Sequence, residues 1–115
     1  ERFAVLSGDD PTATRSLLAG ADGVISVANN VAPSLFRSLC DYARVGEVAA
    51  ALALERRLQP LFDAIAVESN PIPVKWCLAV LGIGEPRLRL PLTTLGAAHR
   101  ERLRTVIEDL QGIAA

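Results

Sequence analysis

Apolar residues follow two different rhythms along this chain. Near the amino end they form short, nearly continuous runs, Phe3-Ala4-Val5-Leu6 and Val24-Ile25-Ser26-Val27-Ala28. Each run closes on a polar or glycine-bearing turn, Ser7-Gly8-Asp9-Asp10 and Asn29-Asn30. A strand with one face in water alternates apolar and polar residues, whereas runs apolar at nearly every position expect cover on both faces. The pattern predicts two strands, over 2–7 and 23–28, with a helix between them over about 12–19. Strands joined through a helix lie parallel with a right-handed crossover. Function in such units sits in the loops at the carboxyl ends of the strands, here Gly8-Asp9-Asp10 and Ala28-Asn29-Asn30.

Local signals fix the boundaries. Asp10-Pro11 reads as an N-cap followed by proline at the first helical position. Leu17 and Leu18 supply that helix's core face, and Gly20 is its left-handed stop. Asn29 and Asn30 can cap the next helix, whose apolar positions Leu35, Phe36, Leu39, Cys40 and Ala43 recur at helical spacing until Gly46. From there the rhythm is helical throughout. A long helix is expected from Glu47 to about Val67, with Val48, Leu52, Leu54, Leu58, Leu61, Phe62 and Ile65 as its core stripe. Pro60 should kink it or cost one hydrogen bond. Pro71 and Pro73 forbid helix immediately before them. A short helix then covers about 74–81, a proline-interrupted loop 82–94, and a final helix 97–111 with Leu103, Val106, Ile107 and Leu110 inward. The shift of rhythm near Gly46 divides the chain into an α/β piece, 1–46, and a helical piece, 47–115.

Composition narrows the function classes. The chain has 115 residues, half of them hydrophobic, and a formal net charge of −1. With both signs interspersed, no basic stripe offers a footprint for nucleic acid or an anionic membrane, and neither partner is expected. No run approaches the roughly 18 to 20 apolar residues that span a bilayer, and no basic-then-apolar signal pattern opens the chain. A soluble, cytoplasmic protein is the expectation. Cys40 and Cys77 are the only cysteines, too few for a disulfide framework, and read as buried reduced thiols. Methionine is absent and Glu1 leads almost directly into a strand, as expected of the tail of something longer. Two parallel strands alone leave both sheet edges open, so more chain or another copy should complete them.

Candidate chemistry is sparse. Lys75 is the only lysine, but it follows two prolines at a helix start, and a covalent lysine needs a desolvated pocket that this context does not promise. Asp9 and Asp10 could form an acid and base pair, yet adjacent side chains rarely converge on one point, and Asp10 is already assigned to a cap. His99 has no second histidine or clustered cysteine at ligand spacing, so no metal is expected. Trp76 reads as packing beside Cys77, Leu78 and Leu81.

Four ordered motifs carry a specific resemblance: Leu6-Ser7-Gly8-Asp9-Asp10, Ala19-Gly20-Ala21-Asp22-Gly23-Val24-Ile25-Ser26-Val27, Asn70-Pro71-Ile72-Pro73-Val74-Lys75 and Leu88-Arg89-Leu90-Pro91-Leu92. Together they closely resemble the carboxyl-terminal part of the dihydrodipicolinate synthase family, pyruvate-dependent class I aldolases. The resemblance covers essentially the whole chain. It implies the last two βα units of a (β/α)8 TIM barrel followed by a helical extension of three helices. It implies a lyase of lysine biosynthesis that joins pyruvate to aspartate semialdehyde through a Schiff base, without cofactor or metal, and that is usually a homotetramer.

The resemblance also implies residue roles. The imine-forming lysine and the proton-relaying tyrosine belong to strands and loops upstream, so the chain alone is expected to be inactive. Ile25 matches the isoleucine whose backbone polar groups face the pyruvate adduct. Gly8 matches the glycine after the seventh strand, where backbone approaches substrate. Asp9 and Asp10 match the barrel mouth, suited to the amino group of the second substrate and unsuited to phosphate. Relatives that cleave sialic acid carry a serine where Val27 stands and an acid where Pro11 stands, so this chain is expected to serve a small aldehyde. Two alternatives stand beside this reading: a fragment of another pyruvate aldolase, or a non-catalytic helical association module whose strands pair with another copy.

Overall fold

A computed structural model describes residues 3–114. The order of regular elements is β1 (Leu6–Ser7), α1 (Ala13–Leu18), β2 (Gly23–Val24), α2 (Pro33–Arg44), α3 (Val48–Ile65), α4 (Ile72–Val80) and α5 (Ala97–Ala114), with 3-10 turns at Asp10–Thr12 and Ala28–Asn30. By compactness the chain divides into two units, Glu1–Gln59 and Pro60–Ala115. Gly46, where the division was expected, lies between α2 and α3; the compact units divide further on, inside α3 and beside Pro60.

In the first unit β1 and β2 run parallel, Leu6 opposite Gly23 and Ser7 opposite Val24. The co-directional pair expected from the apolar runs is therefore present, but each strand is much shorter than expected. Backbone bonds extend the ribbon by a residue at each end: the Asp22 N–H donates to the Val5 carbonyl at 2.8 Å and the Ile25 N–H to the Ser7 carbonyl at 2.8 Å. The Val5 N–H returns a bond to Asp22 Oδ2 at 2.9 Å. A two-stranded parallel ribbon has a ladder on one side only, which limits how far regular pairing propagates. Arg2, expected to begin the first strand, lies outside the described residues. Ala28, expected to end the second, belongs instead to a 3-10 turn, because side-chain oxygens capture the amides that a strand would use.

Helix α1 packs on β1, β2 and α2. Gly20 terminates it as expected, at φ 102°, with the Gly20 and Ala21 amides turning back to Leu17 and Ser16. Gly46, at φ 79°, ends α2 the same way through Ala43 and Tyr42. Both are left-handed C-caps that a side chain would strain. Helix α2 buries Phe36, Leu39 and Ala43 of the expected stripe, while Leu35 and Cys40, expected to be buried with them, are half-buried. Its N-cap is Ala32 rather than either asparagine; Asn30 turns its side chain to the Val27 carbonyl instead.

Along α3 the buried positions are Ala51, Leu54, Leu58, Leu61, Phe62 and Ala64. Val48, expected in the stripe, is exposed, and Leu52 and Ile65 are half-buried. Ala51, Leu54, Leu58 and Leu61 follow a three-four-three spacing that keeps one face inward, and Val48 precedes that face in an open first turn.

In the second unit α4 packs against α5, and Ile72, Pro73, Val74, Trp76 and Cys77 are buried. Helix α5 turns Leu103, Ile107 and Leu110 inward as expected, with Val106 half-buried. The Gly96 N–H, just before α5, is taken by Glu68 Oε1 at 2.9 Å. No helix among the described residues is long and apolar enough to cross a membrane.

Candidate functional site

The carboxyl ends of the two parallel strands bring Gly8, Asp9, Asp10 and Ile25 to one rim of the first unit. The two aspartates, adjacent in sequence, do different work. Asp9 is exposed and is the N-cap residue of the 3-10 turn that follows, without a side-chain bond to that turn's amides. Its Oδ2 accepts the Thr12 hydroxyl at 2.7 Å. Asp10, by contrast, is only 9% exposed. Its Oδ2 accepts the Val27 N–H at 3.2 Å and the Ala28 N–H at 2.8 Å, while Oδ1 is buried with no hydrogen-bond partner among the described residues.

This corrects the cap expected from Asp10-Pro11. The Asp10 carboxylate caps a helical turn, but the one at Ala28–Asn30, across the ribbon, and not the one that its own residue begins. The first amides of any helical turn lack partners within the turn and favour a negative charge. Here the remaining donor is also satisfied, since the Asn29 N–H bonds to Ser26 Oγ at 2.8 Å. The one sequence signal for this arrangement was the doubled acid, since a single turn uses only one cap.

Ile25 projects from the end of β2 and is 69% exposed. Its N–H is bound to Ser7, so the carbonyl oxygen is the backbone group it can direct at a ligand. Gly8 is exposed, and a Cβ built on it meets nothing within 4 Å. This chain's own packing therefore places no demand for glycine there. At this rim the buried Asp10 carboxylate sits on the amides that a phosphate would seek.

The other candidates lie elsewhere. Lys75 is half-buried on α4, facing an open cleft of about 560 Å³ with Glu85, Arg87 and Arg89. Arg87 Nη2 meets Glu85 Oε2 at 2.6 Å. This is solvated surface, not a dry pocket for a covalent lysine. Burial pushes the Cys77 thiol up to about 11. Cys40 is raised as well, by burial first and by Asp41 second. Neither is disposed to act as a thiolate nucleophile at neutral pH. Trp76 is buried, and the Arg104 guanidinium lies 5.7 Å from its ring centre, a packing role. His99 is half-buried near the start of α5. Among the described residues no three His, Cys, Asp or Glu side chains gather to hold a metal ion.

Comparison with known proteins gives a consistent result. Residues 1–110 match the model of the dihydrodipicolinate synthetase family. A 4-hydroxy-tetrahydrodipicolinate synthase from Xanthomonas campestris pv. campestris is 55% identical over 100 residues, covering 87% of this chain and 33% of the relative. One from Methylococcus capsulatus is 50% identical over 109 residues, covering 95% of this chain and 38% of the relative. The chain thus spans little more than a third of the length of the curated relatives it matches. Among solved structures, dihydrodipicolinate synthase from Thermotoga maritima superposes with a TM-score of 0.91 at 42% identity, over 95% of this chain and 37% of that one. The chloride-inhibited enzyme from Acinetobacter baumannii, solved in complex with pyruvate, gives 0.91 at 42% identity, over 95% and 38%.

Proposed function

Since the chain belongs to the dihydrodipicolinate synthetase family, we propose that it is the carboxyl-terminal third of a pyruvate-dependent lyase. In this reading it supplies the last two strands of a (β/α)8 barrel and the helical extension after them. The observation that carries the reading is the parallel pair β1 and β2, whose carboxyl ends set Gly8, Asp9 and Ile25 at a common rim. Phe3, Val5, Leu6 and Ile25 are exposed along that ribbon, the apolar cover that neighbouring barrel strands would provide.

The residue roles in this reading are those that the family resemblance implies, and the exposure of Gly8, Asp9 and Ile25 supports them. The Ile25 carbonyl points a fixed dipole at the pyruvate adduct, and Gly8 keeps the rim open for backbone to approach it. Asp9, exposed at the mouth, attracts the ammonium group of an aspartate-semialdehyde-like aldehyde. Asp10 is too enclosed by backbone for that task. Because its carboxylate already sits on the Val27 and Ala28 amides, a phosphorylated substrate would meet a like charge there. The imine-forming lysine is supplied from upstream, and Lys75 takes no part. Self-association through the exposed ribbon is the second reading, and it rests on the same apolar residues.

The test is reductive trapping. Pyruvate and borohydride should leave the mass of the 115-residue chain unchanged. A chimera in which this chain replaces the matching last third of the Xanthomonas campestris relative should gain one pyruvyl adduct, on an upstream lysine. An adduct on Lys75, or none on the chimera, would refute the proposal.

A further inference from the structure

Residues Ile25 and Ser26 form a short bridge between two anchors on the same stretch of backbone. On one side the Ile25 N–H is held by the Ser7 carbonyl at 2.8 Å. On the other, Val27 and Ala28 are held by Asp10 Oδ2 at 3.2 and 2.8 Å. Ser7 and Asp10 are three residues apart, and Ser7 Oγ and Thr12 Oγ1 tie the intervening Asp9 in place. With both flanks fixed, the peptide plane carrying the Ile25 carbonyl has little freedom to rotate.

We propose that Asp10 is a positioning residue: its buried carboxylate clamps the Val27 and Ala28 amides and so fixes the direction of the Ile25 carbonyl at the substrate rim. The proposal rests on the lyase reading. It gives the second acid of the Asp9-Asp10 pair a task unlike that of the first. Asp9 faces solvent and can meet substrate, whereas Asp10 touches only its own protein and acts through Ile25. Charge matters less here than the location of one acceptor atom, because a single oxygen serves both amides. Loss of that atom lets the bridge relax, and a misplaced catalytic dipole of about 1 Å is enough to lower turnover on the order of 100-fold.

The chimera described above, carrying Asp10→Asn, Asp10→Glu or Asp10→Ala, separates geometry from charge. Asparagine keeps an acceptor oxygen in place without the charge; glutamate keeps the charge but moves the oxygen by a methylene. Positioning predicts that Asp10→Asn retains kcat within about threefold, while Asp10→Glu and Asp10→Ala lose about 30-fold or more, with KM for pyruvate changing less than kcat. Amide exchange at Val27 and Ala28 should accelerate at least tenfold in the Glu and Ala variants and stay slow in Asn. If Asp10→Ala does not fold, the order of Asn and Glu decides. Glutamate outperforming asparagine would overturn the proposal in favour of a role for charge, and so would kcat unchanged within twofold in Asp10→Glu. An unsubstituted chimera that forms no pyruvyl adduct would instead overturn the lyase reading and this role together.

Discussion

The strand-bearing end of the first compact unit and the helices of the second treat their apolar residues in opposite ways. In Glu1–Gln59 the strand-bearing end leaves large apolar side chains in solvent, Phe3 at 82% and Ile25 at 69% exposure. In Pro60–Ala115 the large residues of the helices are mostly enclosed, among them Leu61, Phe62, Trp76, Leu103 and Ile107, while the exposed Ile83 and Leu90 lie in the loop between α4 and α5. Their polar groups differ in the same direction. The first unit places a buried carboxylate and the Ser7 and Ser26 hydroxyls on backbone amides around one rim. The second uses Glu68 and Arg100 to tie the start of α5, which holds a helix end. The contrast sets a two-stranded ribbon that leaves apolar side chains uncovered, as the proposed barrel reading expects, beside helices that largely cover their own.

The largest effect that would test this contrast is cavity formation. Leu39 in the first unit and Leu103 in the second are both essentially inaccessible. Replacing either with alanine should cost about 2–5 kcal/mol in urea unfolding of the chimera. A cost below about 1 kcal/mol at Leu39 would mean that the helices of the first unit are poorly packed, and the comparison would have to be redrawn.

A smaller effect concerns pH. Cys77 is pushed from 9.0 to about 11 by burial, so the folded protein holds its thiol proton where the unfolded chain has released it. Stability from this group is complete below pH 9 and falls as pH rises toward 11, by at most about 2–3 kcal/mol. Unfolding curves at pH 8, 9 and 10.5 check the sign. Cys77→Ala should flatten this part of the alkaline slope, and an unchanged slope would locate the loss elsewhere.

The smallest effect is expected at the ribbon. Phe3→Ser should change the stability of the 115-residue chain by less than about 0.5 kcal/mol, because an exposed side chain has little burial to lose. In the chimera the same substitution should cost more than 1 kcal/mol, on the order of an aromatic contact removed from a covered position. Light scattering adds the other arm: a dimer of the short chain that Phe3→Ser dissociates would favour self-association of the ribbon.

Much of this was legible from residue order. Continuous apolar runs identified the two co-directional strands, glycines at 20 and 46 stopped the helices where the structure ends them, and the spacing of Leu103, Ile107 and Leu110 gave the inward face of α5. These features are local, set by backbone freedom and by periodicity within a few residues, so the sequence determines them directly. The length of the strands, the exposure of Val48 and the partner of Asp10 are not local. Strand length depends on whether a second ladder is present. Asp10 could cap its own turn or reach the amides 17 and 18 residues away, and the choice belongs to whichever donors the fold brings within 3 Å. Only the tertiary structure, by laying β1 beside β2, made the distant amides the nearer ones.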